Sequence, residues 1–185
     1  MGNVSERRKQ PPQVGVSVVI LALGPVPQSD VGAGAASSGM GSTLWMPLVK
    51  RVRQPFLGQW ALPGGGLRAD HSLEQSAYAA LESTTSLHPK YLEQLYTFGD
   101  PARSHGGLPM VSIVYWALVG EADGRIDFAG GDNVKWFPVN HLPELAFDHR
   151  TIVEYALHDA RIAAYNAPFD RDALIRSCAA HGIDP

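Results

Sequence analysis

Residues Trp60 to Leu87, WALPGGGLRADHSLEQSAYAALESTTSL, place one well-marked helix inside a chain otherwise dominated by strand-forming runs. Ser72 and Gln75 form a capping box, in which each side chain satisfies the other residue's orphan backbone N–H. Glu74 in the first turn suits the positive end of the helix dipole. Leu73, Ala77, Ala80 and Leu81 recur at helical spacing, and Pro89 stops the segment, so a helix is predicted over 72–86. Just ahead of it stand Gly64, Gly65 and Gly66. They are expected to form a loop whose bare backbone lets a ligand approach closely. This loop is neither a P-loop nor a dinucleotide fingerprint.

The rest of the chain alternates strand and loop. VGVSVVILAL at 14–23 is rich in β-branched residues and predicts a buried strand. TLWMPLVKR at 43–51 predicts a second strand, with Pro47 limiting its ladder. Further strands are expected at 90–100, 110–120 and 133–139, and the segment PARSHGGLP reads as a hairpin loop. Asp148 is a candidate N-cap for a helix over 149–165, where Ile152, Val153, Ala156, Leu157 and Ala160 make an apolar stripe. A last short helix is expected at 171–180. This order predicts an α/β/α sandwich around a mixed β-sheet spanning 13–166. An arm at 1–12 precedes it, a Gly/Ala/Ser/Pro-rich insert at 24–42 interrupts it, and a helical tail at 167–185 follows.

Composition narrows the function classes. A net charge of −3 gives no general attraction to nucleic acid. The charged start lacks a signal-peptide core, and Val14 to Leu23 is too short to span a membrane. The single Cys178 rules out an internal disulfide and fits a reducing, cytoplasmic setting.

The frame of the segment from Gly65 to Leu87 resembles the signature of the Nudix superfamily, G-x5-E-x7-R-E-U-x-E-E-x-G-U, where U is aliphatic. Leu81 and Leu87 fill its aliphatic positions. Its charged positions are occupied by His71, Ala79, Ala80, Ser83 and Thr84, and its last glycine by Ser86. The resemblance implies the Nudix fold and hydrolysis of nucleoside diphosphates through a divalent metal. Residues three and four apart share a helix face, so positions 80, 83 and 84 would aim three carboxylates at one metal cluster. That face carries no formal charge here. Glu82 lies roughly 150° away from its centre, so no local substitute exists. No resident metal is expected, with Mg²⁺ required only if the chain is active. A zinc site is not expected either, since His149 and His158 lie on opposite helix faces.

Three further stretches, at 90–103, 111–119 and 132–157, resemble one branch of the superfamily. It contains Nudix-related transcriptional regulators of NAD metabolism, in which a Nudix-like domain senses ADP-ribose and a winged helix binds DNA, together with ADP-ribose pyrophosphatases. The resemblance also implies a homodimer. Only about 20 residues follow the last domain helix, too few for a winged helix, so direct DNA binding is not expected.

A site without metal needs other cations for a diphosphate. Lys50, Arg51 and Arg53 precede the glycines, and Arg68 follows them. An arginine can clamp phosphate through two N–H groups, and the competing reading is a solvated surface charge. Phe56 and Trp60 can stack on a base or pack in the core. Asp100 and Arg103 sit in a loop able to reach ribose or phosphate, although turn chemistry also explains Asp100. His71, at the first Glu position of the signature, can act as a ligand or base, and His149 can act as a ligand contact or serve the helix start.

Three functions follow as expectations. The first is a nucleotide-binding module for ADP-ribose or a relative, without the usual hydrolysis. The second is a hydrolase whose metal ligands lie among Glu121, Asp123, Asp127, Asp132, Glu144 and Asp148. The third is an interaction subunit acting through a protein partner.

Overall fold

The computed structural model describes residues 11–27, 42–89, 91–104, 109–120 and 125–164. The first ten residues of the expected arm, the centre of the 24–42 insert and the tail at 167–185 lie outside them. Seven strands and two helices follow in the order β1 (Gln13–Pro25), β2 (Ser42–Lys50), β3 (Trp60–Ala61), β4 (Gly64–Gly66), α1 (Leu73–Thr85), β5 (Glu93–Phe98), β6 (Met110–Val119), β7 (Val134–Pro138) and α2 (His149–Ala164). Among the described residues, no helix is long and apolar enough to cross a membrane.

The strands form one mixed sheet in the order β3-β2-β1-β6-β5, with β4 also paired to β1 and β7 to β2. β1 and β6 run parallel over ten residue pairs, Gln13↔Met110 through Ala22↔Val119. A strand in the middle of a sheet shows alternate side chains to its two faces, and β1 is apolar on both. Val16, Val18, Ile20 and Ala22 pack with Ala77 and Leu81 of α1. Val19 and Leu21 pack with Ile152, Val153, Ala156 and Leu157 of α2. The continuous apolar run of β1 is therefore the sequence of a strand covered by a helix on each side, and the predicted α/β/α layering is observed.

Helix α1 begins as expected. Ser72 Oγ accepts from the Gln75 N–H at 3.1 Å, and Gln75 Oε1 accepts from the Ser72 N–H at 2.8 Å. It ends at Ser86, whose left-handed backbone (φ 55°) closes the helix where the signature carries glycine.

Two expectations are corrected. The three glycines do not form a loop. They make a strand, β4, with Gly15↔Gly66, Val16↔Gly65 and Ser17↔Gly64 in antiparallel register. Glycine is depleted in strands, which is why its composition points away from one, but here close approach requires it. A Cβ on Gly64 would lie 2.3 Å from the Val16 carbonyl oxygen. Gly64→Ala is accordingly expected to cost about 1–3 kcal/mol through forced backbone displacement, read as a lower urea midpoint with unchanged slope.

The second correction concerns Asp148. It precedes α2 as expected, but its carboxylate is held by Arg103, 45 residues away in sequence. The ladder between β2 and β1 covers only Ser42–Trp45, while β2 continues along β7 as far as Val49. Pro47, which has no N–H to give, lies in the part that has left β1. β4 takes up β1 beyond it, and the divergence of β2 from β1 positions the site.

Candidate functional site

A cleft of about 940 Å³ opens where β2 leaves β1. Gln13–Ser17 of β1 and Gly64–Gly66 of β4 line one side of it. One wall is the end of β2 and the loop after it, with Lys50, Arg51 and Arg53. The other comprises Phe147, Asp148 and His149 ahead of and at the start of α2, together with Arg103 and Ser112.

The α2 wall is tied to the sheet by backbone. Trp60 and Leu145 form a parallel bridge, and the Ala146 N–H donates to the Trp60 carbonyl at 2.8 Å. Phe147 then adopts a positive φ of 56°, uncommon for a bulky residue. Its ring meets Phe56 edge-on at 4.7 Å, while the Arg51 guanidinium lies 4.5 Å from its centre. Arg51 is further fixed by donating Nε–H to the Pro55 carbonyl at 2.8 Å. Burial pulls its pKa below the ordinary arginine value, but the group remains a cation.

His149 continues this wall beyond Phe147, with the two rings 5.4 Å apart. It is 8% exposed. Its Nδ1 accepts the Leu62 N–H at 2.9 Å, so in the neutral ring the proton sits on Nε2. Burial pushes its pKa down to about 4, against a raising contribution from Asp148 and smaller lowering ones from Arg103 and Arg51. At neutral pH this is an uncharged imidazole with one fixed tautomer.

Arg103 lines the cleft but is engaged within the protein. It donates Nε–H and Nη2–H to the two Asp148 oxygens, Nη1–H to the Phe98 carbonyl and Nη2–H to Ser112 Oγ. Four of its five N–H groups are thus occupied. It braces the wall.

Of the residues singled out in the sequence, Lys50, Arg51, Arg53, Gly64, Gly65, Gly66, Arg103 and His149 converge on the cleft. Phe56, Trp60, Arg68, His71 and Asp100 do not line it. Phe56 packs behind Phe147. Trp60 packs edge-on against Phe137 at 5.1 Å. Arg68 pairs with Asp70 on the surface, where hydrogen bonding to that carboxylate raises its pKa. Asp100 Oδ1 accepts from the Ala102 N–H and shapes the following turn. Phe147, Ser17 and Ser112 line the cleft without having been singled out. The signal for Phe147 is its place just before a helix-starting Asp148–His149 pair; nothing local marks the serines.

The helix face corresponding to the Nudix carboxylates carries no carboxylate. Ala80 has no donor atom, and the Ser83 and Thr84 hydroxyls both donate to the Ala80 carbonyl, at 3.0 and 2.6 Å. His71 and Ala79 also stand outside the cleft lining. Among the described residues, no three His, Cys, Asp or Glu side chains converge as a metal-binding group.

The sheet, its two covering helices and the glycine strand leading into α1 are those of a Nudix domain. The chain belongs to this family: the model described as NUDIX domain matches residues 32–156. An ADP-ribose pyrophosphatase of Methanocaldococcus jannaschii is 34% identical over 110 residues, covering 58% of this chain and 62% of that protein. The ADPR responsive transcriptional repressor NtrR of Acinetobacter baylyi is 29% identical over 113 residues, covering 59% of this chain and 45% of that protein. Each match therefore spans less than two thirds of the relative. The NUDIX domain of Shewanella oneidensis NrtR complexed with ADP ribose aligns with a TM-score of 0.61 and 31% identity, over 85% of this chain and 94% of that one.

Proposed function

We propose that this domain binds ADP-ribose or a related nucleotide of NAD metabolism in the cleft, without the metal-dependent hydrolysis of the Nudix box. The observation that carries the reading is the division of labour between cleft and helix. The cleft collects Lys50, Arg51 and Arg53 beside the open backbone of Gly64–Gly66, a setting for a diphosphate. The helix face that would supply metal ligands presents Ala80, Ser83 and Thr84. Binding energy for the phosphates then comes from guanidinium, ammonium and backbone N–H groups. The ADP-ribose complex of the Shewanella NrtR domain supports the choice of ligand.

Calorimetric titration with ADP-ribose, with and without Mg²⁺, tests both halves. Binding of equal strength in both buffers is expected, with ADP-ribose recovered intact by chromatography of the mixture. No heat in either buffer would sink the ligand, and AMP with ribose phosphate in the eluate would sink the absence of hydrolysis.

The pyrophosphatase relative favours a second reading, hydrolysis through carboxylates outside the box. Of those carboxylates, Glu121 and Asp123 lie outside the described residues, and Asp127, Asp132 and Glu144 are exposed away from the cleft lining. Asp148 does line it, but both its oxygens accept from Arg103. Turnover abolished by Asp148→Asn would move the weight to this reading.

A further inference from the structure

The cleft wall is graded. From the β2 loop inward it runs from the Arg51 guanidinium to the Phe147 ring, then to the His149 ring, with the closed Arg103–Asp148 pair beside His149. Free positive charge therefore stands at the loop end, and at the His149 end the charges cancel within one ion pair. Nothing at that inner end calls for a phosphate.

His149 is built to give one hydrogen bond there. The Leu62 N–H occupies Nδ1 and fixes the tautomer. Nε2 has no hydrogen-bond partner among the described residues and is not sealed off as a buried orphan atom, and the ring that carries it lines the cleft. Water can satisfy this donor in the free protein, and a ligand oxygen that takes its place keeps the hydrogen bond, whereas a group that cannot accept loses it. Ser112 is similar: its Oγ accepts from Arg103 Nη2, which leaves its own O–H to donate.

Resting on the ADP-ribose reading above, we propose that His149 is a specificity-determining residue, donating from Nε2 to an uncharged ribose oxygen of the ligand while the phosphates lie toward Arg51 and Arg53. The groups facing His149 are consistent with a neutral partner. They are Asp148 and Phe147 from its own segment, Arg103 from the turn after β5, Arg51 from the β2 loop and the Leu62 N–H from the stretch between β3 and β4. The two cations oppose an imidazolium, and the carboxylate is already paired.

The test compares His149→Phe and His149→Gln with the parent protein by titration of ADP-ribose, ADP, ribose 5-phosphate and inorganic pyrophosphate. Phe keeps a flat ring but cannot donate. Gln can accept from Leu62 through its carbonyl and donate through its amide. We expect His149→Phe to weaken ADP-ribose roughly 5- to 10-fold, the value of one hydrogen bond. ADP or ribose 5-phosphate should weaken in parallel, which identifies the adenosine-side or terminal ribose. Pyrophosphate should be unchanged, and Gln should restore most of the loss. Equal weakening of pyrophosphate, or unchanged ADP-ribose affinity in His149→Phe, would overturn the assignment. Melting temperatures taken alongside separate either result from misfolding, in which case His149→Gln alone decides. ADP-ribose failing to bind the parent protein would sink the ligand reading instead, and is distinguishable from both.

Discussion

Replacing Arg103 with Met is expected to destabilise the domain by about 3–5 kcal/mol, the usual cost of breaking a buried pair from one side. The Arg103 side chain is 6% exposed and that of Asp148 23%. Methionine fills much of the arginine's apolar volume but supplies none of its donors. Asp148 is then a carboxylate without its cation, and the Phe98 carbonyl and Ser112 Oγ each lose an N–H. The desolvation of these groups, more than the lost attraction, sets the magnitude. Arg103→Met with Asp148→Leu removes both charges together and should recover a substantial part of the loss, since an apolar pair of similar volume can replace a buried ion pair. Urea unfolding of the parent, both single variants and the double variant measures the coupling directly. A single-variant loss below about 1 kcal/mol, the range of an exposed pair, would show that the bridge is not structural.

This pair also marks how far the fold could be read from local pattern. The capping box needs only residues three apart, so Ser72 and Gln75 announced α1 to within a residue or two. The apolar run of β1 is equally local, since a strand covered on both faces has no polar alternation to disguise it. Arg103 and Asp148 were both visible as charged loop residues. Their pairing depends on β5, β6 and α2 meeting in space, and no spacing encodes that. The glycines misled in the opposite direction. Their composition argues for a loop, whereas the Val16 carbonyl, lying where a Gly64 Cβ would go, requires them in a strand. The cations at 50, 51 and 53 were legible as a group because they end one strand. Arg68 was not separable from them by sequence, and only its pairing with Asp70 removes it from the cleft.

His149 should leave a signature in the acid stability of the domain. Its pKa is about 4 in the folded protein, against an ordinary value of 6.5. Unfolded chain therefore takes up a proton from about pH 6.5 downward, while the native ring stays neutral until about pH 4. Over that window the unfolded state binds more protons, so the native state loses stability as pH falls. Above pH 6.5 neither state is protonated, and below about 4 both are, so the loss is confined between them. It totals about 3 kcal/mol for a shift of this size. Carboxylates titrate in the same range, so the contribution is isolated by difference from His149→Gln, which keeps a donor and acceptor but no titrating ring. Urea unfolding at half-unit steps from pH 7.5 to 4 should show the parent losing ground on the variant by about 1.4 kcal/mol per pH unit once below pH 6. A constant gap between the two proteins would mean that the imidazole protonates as readily in the cleft wall as in water. The donor at Nε2 would then carry a positive charge in a growing share of molecules as pH falls through 6.5, and ribose selectivity would no longer rest on a neutral ring there.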